Sequence, residues 1–176
     1  MPGSHPMIIS PIMVEFIKHR PKTILDIGIG TGKFGALMRE YSENWNETCL
    51  RLRRGDWTTT IHGIEIFPVY KSPLWDFYNT VMIGDAVELI ETLPNYDLIL
   101  MAEVLEHLPK EVGKRMLAKC AEKSDTFIFS FTNCYQGAIF NNENERHVSQ
   151  WKESDLGIKA TLLFTGGWSS VYVAQK

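Results

Sequence analysis

Residues 24–34, Ile-Leu-Asp-Ile-Gly-Ile-Gly-Thr-Gly-Lys-Phe, constrain this chain more than any other stretch. An apolar run carrying Asp26 dissolves into glycines at 28, 30 and 32, and Phe34, Leu37, Met38 and Tyr41 then recur at helical spacing. That pattern predicts a buried strand, a tight loop of bare backbone, and a helix whose free N–H groups face the loop. A ligand can approach such backbone closely, so the unit reads as a holder for a nucleoside-type cofactor.

The rest of the chain alternates in the same way. Candidate strands are 23–27, 60–65, 80–83, 96–101 and 126–131, and candidate helices are 32–42, 85–93 and 110–123. A first helix is expected over 7–20, capped by Ser10, with Pro11 in its first turn and Pro21 as its stop. Its apolar face is Ile12, Met13, Phe16 and Ile17. Asp85 followed by Glu88 is a capping-box pattern. Strands that are nearly continuously apolar and separated by helices predict a parallel sheet covered on both faces. Residues 158–165 and 169–175 break the rhythm, because two strand-like runs joined through Gly166-Gly167 predict a hairpin and an antiparallel last strand. The expected fold is therefore α/β and doubly wound, a mostly parallel seven-stranded sheet with helices on both faces, as one domain over 1–176.

Composition narrows the class of partner. With 18 Lys and Arg against 21 Asp and Glu, the net charge of −3 offers no basic stripe for nucleic acid. Cys49, Cys120 and Cys134 fit no metal-ligand spacing and are odd in number, which argues for a reducing compartment and against a disulfide scaffold. No apolar run approaches the length of a membrane span, and no signal-type segment opens the chain. Residues 1–6 read as a tail, with Gly3-Ser4-His5 resembling a cloning remnant. The expectation is a cytoplasmic protein.

Three nucleotide-binding designs compete for the glycine loop. A P-loop needs a Ser or Thr after its Lys, but Lys33 is followed by Phe34, and Ile27 stands where its earlier glycine belongs. A dinucleotide fingerprint would put its third glycine at Lys33. The third design binds S-adenosylmethionine, and over nearly the whole chain the sequence resembles the class I S-adenosylmethionine-dependent methyltransferases. The resemblance assigns Asp26, Gly28, Ile29, Gly30 and Gly32 to the methionine portion of the cofactor. It assigns Glu65 of Gly63-Ile64-Glu65-Ile66 to the ribose hydroxyls and Ile66 to one side of the adenine. Asp85 and Ala86 of Gly84-Asp85-Ala86 would read the adenine edge, and Glu103 would complete the cofactor set. Taken singly, Asp85 reads as a helix cap, Glu65 as a solvated strand-end acid and Asp26 as the end of a strand. Their order is more specific, since each falls at the carboxyl end of a successive strand, the edge where open α/β sheets bind ligands.

Beyond the cofactor, Glu103-Val104-Leu105-Glu106-His107 follows the fourth strand. Were this segment helical, both carboxylates and the imidazole would share one face. His147 follows the fifth strand, its expected neighbour, and could join them. Glu-x-x-Glu-His with a downstream His resembles the metal set of the RNA 2′-O-methyltransferases that modify small-RNA ends, and related acids occur in ubiquinone-biosynthesis O-methyltransferases. That resemblance implies a divalent metal ion on Glu103, Glu106, His107 and His147, with Glu106, His107 and His147 as the catalytic groups. Many small-molecule methyltransferases carry a similar segment without a metal, and there His147 would only brace a lid beside Trp151.

Segments expected over the cofactor edge are Phe67–Tyr78, with Tyr70 and Trp75, and the polar loop 133–150, a candidate substrate lid. The insertion at 43–59, with Arg51, Arg53, Arg54, Trp45 and Trp57, belongs at the opposite edge and reads as a solvated loop. The reading is an S-adenosylmethionine-dependent methyltransferase acting on oxygen of a small-molecule acceptor. The alternatives are an RNA 2′-O-methyltransferase and a catalytically silent cofactor-binding domain.

Overall fold

Period-two alternation along the central strands divides the core into two layers. The computed structural model describes residues 4–45 and 50–176. Its strands are β1 (Thr23–Ile27), β2 (Thr60–Glu65), β3 (Thr80–Ile83), β4 (Tyr96–Ala102), β5 (Ser124–Thr132), β6 (Thr161–Gly166) and β7 (Ser169–Gln175). They form one sheet in the order β3-β2-β1-β4-β5-β7-β6. β1 to β5 pair in parallel, and β7 runs antiparallel to both β5 and β6. The seven-stranded sheet and the antiparallel last strand are as the sequence predicts.

The helices are α1 (Ile9–His19), α2 (Lys33–Glu43), α3 (Ala86–Leu89) and α4 (Lys110–Lys123). On one face Ile24, Leu98, Leu100, Ile128, Val171 and Val173 meet Ile12, Met13 and Phe16 of α1 and Phe34 and Met38 of α2. On the other face Leu25, Ile27, Ile99, Met101, Phe127 and Phe129 meet Met116, Leu117 and Cys120 of α4. Each such buried side chain stabilises the fold by about 1.5–3 kcal/mol relative to its exposed state.

Some element boundaries move for local reasons. A 3-10 turn over Pro6–Ile8 precedes α1, so Ile8 takes the cap position and Ser10 lies exposed within the first turn. Arg20 closes α1 with a left-handed φ of 47°, directly before Pro21. Asp85 does cap α3, accepting the Val87 N–H at 2.8 Å, but the helix is one turn long and not the expected 85–93. The Glu91 and Thr92 N–H groups bond to Glu88 and Leu89, tightening the chain into a turn ahead of Pro94, which cannot continue a helix.

The insertion is also more than a solvated loop. Buried Glu43 accepts the Thr58 and Thr59 N–H groups at 3.0 and 2.8 Å and pairs with Arg39 and Arg51. Arg39 donates to the Thr59 carbonyl at 2.6 Å and to Asn79 at 2.8 Å, and its guanidinium lies 3.9 Å from the Trp57 ring centroid. Arg54 reaches the carbonyls of Asp76, Tyr78 and Asn79. Leaving buried Glu43 or Arg39 unpaired is costly, so the described part of the insertion is riveted to α2 and to the approach into β3. Cys49 lies outside the described residues, while Cys120 and Cys134 are free thiols. Among the described residues, no helix is long and apolar enough to cross a membrane.

Candidate functional site

Parallel register is what assembles the site. Ile27 of β1 stands beside Ile64 of β2 and Met101 of β4, Glu65 beside Ile83 of β3, and Ala102 beside Ser130 of β5. All five strands therefore end at one edge, and a cavity of about 680 Å³ opens there. Its lining includes Gly28, Ile29, Gly30, Glu65, Ile66, Asp85 and Ala86 from the cofactor prediction, and Glu103, Glu106, His107 and His147 from the acceptor prediction. None of the described residues of the insertion lines it.

The glycine loop is built for close approach. Gly28 has φ 71° and Gly30 φ 52°, left-handed conformations that disfavour any side chain. A Cβ on Gly28 would stand 2.5 Å from Val104 Cγ2. The loop is pinned to β2, because the Ile64 carbonyl accepts the Gly28 and Ile29 N–H groups at 2.9 and 3.2 Å. The Glu65 carboxylate accepts the Gly30 N–H at 2.7 Å and the Phe67 N–H at 2.9 Å, so it joins the loop to the segment after β2. Burial holds its proton above the usual carboxylate range, and the Glu145 carboxylate adds to the effect. Asp85 uses one oxygen to cap α3 and is exposed at the cavity.

Two predicted cofactor residues do not line the cavity. Asp26 is buried behind the loop, where its carboxylate accepts from the Tyr78 hydroxyl at 2.6 Å. Desolvation raises its pKa to about 7, against the lowering effect of the Tyr78 bond. Gly32 also faces inward, since a Cβ there would meet Trp75 at 3.0 Å and Leu74 at 3.1 Å. It permits close packing of the 67–78 segment. Trp75, expected over the cofactor edge, is buried and donates to the Gly30 carbonyl at 2.8 Å, while Ser72 donates to the Thr31 carbonyl at 2.6 Å. The segment thus braces the loop from behind, and only Tyr70 of its aromatic pair reaches the cavity.

On the acceptor side the chain does not form the helix that would align both glutamates. Glu103 has a left-handed φ of 55°, and a 3-10 turn covers Leu105–His107. The turn separates the two carboxylates. Glu103 accepts from the Ser169 hydroxyl at 2.6 Å and from the His5 N–H at 2.9 Å. Glu106, His107 and His147 do come together, with one ligand-type atom from each within 4.8 Å of the others. Glu106 is fully buried; one oxygen accepts the Thr132 N–H at 3.2 Å and the other has no partner among the described residues. Burial, reinforced by the Glu103 carboxylate, pushes its pKa well above the normal value. The imidazoles meet edge to face with centroids 4.8 Å apart. His107 Nδ1 bonds the Arg146 carbonyl at 3.3 Å and His147 Nδ1 bonds the Cys134 carbonyl at 2.7 Å. Carbonyls only accept, so in the neutral form both rings carry the proton on Nδ1 and leave Nε2 as a lone-pair donor. Burial lowers the His107 pKa, with His147 adding to the shift, which favours the neutral ring.

Several lining groups carried no sequence signal. Glu145 accepts from the Tyr70 hydroxyl at 2.8 Å, joining the segment after β2 to the loop after β5. Lys33 lines the cavity with its Nζ bonded to the Ser4 carbonyl at 3.0 Å, which lays residues 4–6 along the rim. Only the tertiary fold brings such distant pairs into contact.

No family model matches the chain, and neither does any curated protein. Solved structures do. The magnesium protoporphyrin IX methyltransferase of Synechocystis PCC 6803, crystallised with bound S-adenosylmethionine, superposes with a TM-score of 0.62 at 16% identity, covering 95% of this chain and 77% of that one. The N-terminal domain of EvdMO1, crystallised in the presence of S-adenosylhomocysteine and D-fucose, gives 0.63 at 16% identity over 95% of this chain and 83% of that one. PigF with S-adenosylhomocysteine gives 0.60 at 15% identity over 97% and 56% of the two chains. The sheet order, the edge at which the cavity opens and these likenesses agree that the chain has the Rossmann-like fold of the class I S-adenosylmethionine-dependent methyltransferases.

Proposed function

We propose that this protein is an S-adenosylmethionine-dependent methyltransferase that methylates an oxygen of a small molecule. The observation that carries the reading is the single cavity at the carboxyl edge of the sheet, which gathers the Gly28–Gly30 backbone, Glu65 and Asp85 on one side and the Glu106–His107–His147 cluster on the other. The S-adenosylmethionine and S-adenosylhomocysteine with which the similar structures were crystallised support the choice of cofactor.

When bound, S-adenosylmethionine supplies a methyl group already activated on sulfur: the acceptor oxygen forms the new C–O bond as the C–S bond breaks, and the electron pair stays on sulfur. The protein's own tasks are alignment and exclusion of water. Glu65 offers acceptor lone pairs to vicinal hydroxyls, Ile66 an apolar surface to a flat base, and Asp85 its uncommitted oxygen to an amine. The Gly28 to Gly30 backbone takes the amino-acid portion, with Asp26 and Gly32 supporting that loop from behind. With no metal on them, the Nε2 atoms of His107 and His147 would take up the proton that the acceptor hydroxyl releases.

The orphaned, fully buried oxygen of Glu106 beside two Nε2 lone pairs favours a second element, a divalent metal ion held by Glu106, His107 and His147. The donor set fits such an ion, which would position and acidify the acceptor hydroxyl. Glu103, bonded to Ser169 and His5, stands apart from it.

Incubation with methyl-labelled S-adenosylmethionine and a cell extract tests the function. Label in a small molecule is the expected result. Label in RNA would favour the RNA 2′-O-methyltransferase, and no transfer despite cofactor binding would favour the silent domain.

A further inference from the structure

Among the described residues that line the cavity, Lys33 is the one lysine or arginine, set against the carboxylates of Glu65, Asp85, Glu103, Glu106 and Glu145. Its place follows from the glycine loop. Lys33 comes directly after Gly32 and opens α2, a helix of 11 residues whose N-terminal end favours an anion. The side chain is half-buried, and burial lowers its pKa against the raising effect of the Glu103 and Asp26 carboxylates. Yet no carboxylate of the described residues lies within ion-pair distance of it. Its Nζ donates to the Ser4 carbonyl at 3.0 Å and stands 5.1 Å from the Phe34 ring centroid. A partly desolvated ammonium held by neutral groups alone still has a stronger partner to gain.

Glu103 is the counterpart of opposite sign. It lines the same cavity, is half-buried, and accepts only from neutral donors, the Ser169 hydroxyl at 2.6 Å and the His5 N–H at 2.9 Å. The Ser4 carbonyl and the His5 N–H belong to a single peptide unit. A trans peptide points these two groups in opposite directions, so the unit spans the gap between the two charges. The negative end of its dipole rests on Lys33 and the positive end on Glu103. An amino-acid zwitterion carries a carboxylate and an ammonium on one carbon. It would make the same two bonds with full charges, and such bonds are roughly twice as strong as neutral ones.

We infer that Lys33 holds the α-carboxylate of S-adenosylmethionine opposite Glu103 at the α-ammonium, and that the Ser4–His5 peptide fills this subsite until the cofactor displaces it. The inference rests on the methyltransferase reading and adds the side chain that recognises the amino-acid end, beside the Gly28–Gly30 backbone.

The test uses the full chain and two ligands, with binding followed by calorimetry. S-adenosylhomocysteine keeps the amino-acid end and 5′-methylthioadenosine lacks it. Lys33→Met is expected to weaken S-adenosylhomocysteine about tenfold and to leave 5′-methylthioadenosine within about twofold, with Lys33→Arg recovering most of the loss. His5→Pro tests the displacement. His5 has φ −57°, which proline adopts, so the change deletes the N–H bonded to Glu103 and leaves Lys33 and Glu103 in place. Weakening the competitor in this way should tighten S-adenosylhomocysteine about threefold and leave 5′-methylthioadenosine unmoved. Equal losses for both ligands in Lys33→Met, or no loss for either, overturn the assignment of Lys33 and leave the cofactor reading standing. Unchanged or weaker S-adenosylhomocysteine binding in His5→Pro overturns the displacement. A chain that binds neither ligand removes the cofactor reading and this inference together.

Discussion

The Tyr78 hydroxyl donates to Asp26 at 2.6 Å while accepting the Gly35 N–H at 2.9 Å. One phenol thereby links the acid at the end of β1 to the first turn of α2, across the glycine loop that both flank. A Cβ on Gly35 would stand 2.2 Å from the Tyr78 ring, so this link also explains why the helix carries a glycine there.

Tyr78→Phe leaves a buried carboxyl and a buried N–H without their partner. The expected cost is about 2 kcal/mol, read as a lower urea midpoint at unchanged slope. S-adenosylhomocysteine affinity should fall too, because the loop loses its rear support. An unchanged midpoint would show that the link carries no weight.

Asp26 sets a pH dependence whose sign can be worked out. Its pKa rises from 3.8 to about 7 on folding, so the native state holds the proton more tightly than the unfolded chain. The stabilisation is complete below pH ~4, the unfolded value, and is lost as pH rises through about 7. Asp26→Asn keeps an oxygen for Tyr78 and should flatten the fall in stability between those limits. Glu65 and Glu106, whose pKa values burial also raises, account for the slope that remains, and denaturation curves whose slope the variant leaves unchanged would show that Asp26 contributes none.

Gly28→Ala should abolish cofactor binding with the protein still folded, since the new methyl meets Val104 at 2.5 Å at the cavity wall. Adding Val104→Ala removes that clash but not the left-handed strain of about 1 kcal/mol. Partial recovery of S-adenosylhomocysteine affinity in the double variant is the expected calorimetric result, and full recovery would mean the backbone conformation is irrelevant.

Titration of Mn²⁺ into the protein should show one site, weakened at least tenfold by His147→Ala and left intact by Ser169→Ala, which perturbs only the partner of Glu103. Absence of heat at millimolar ion would dismiss the metal.

Glu43→Ala strands buried Arg39 and should destabilise the protein by about 3 kcal/mol or more. The hub lies away from the cavity, so S-adenosylhomocysteine affinity measured well below the melting temperature should be unchanged. A parallel loss of both would place the insertion in the site.

What the residues alone determine here is local and periodic. Alternating apolar runs specify the strands and the two core layers, Gly166-Gly167 specifies the hairpin, and the positive-φ glycines of the loop specify where bare backbone meets the cavity. Those signals act over a few residues, so they survive without knowledge of the fold. Which acids face the cavity is another matter. Asp26 and Gly32 turn away because Tyr78 and Trp75 arrive from more than forty positions downstream, and Glu103 parts from Glu106 because Ser169 and the His5 N–H claim it. Side-chain partners so remote along the chain are chosen by parallel register and loop packing, which only the assembled sheet supplies.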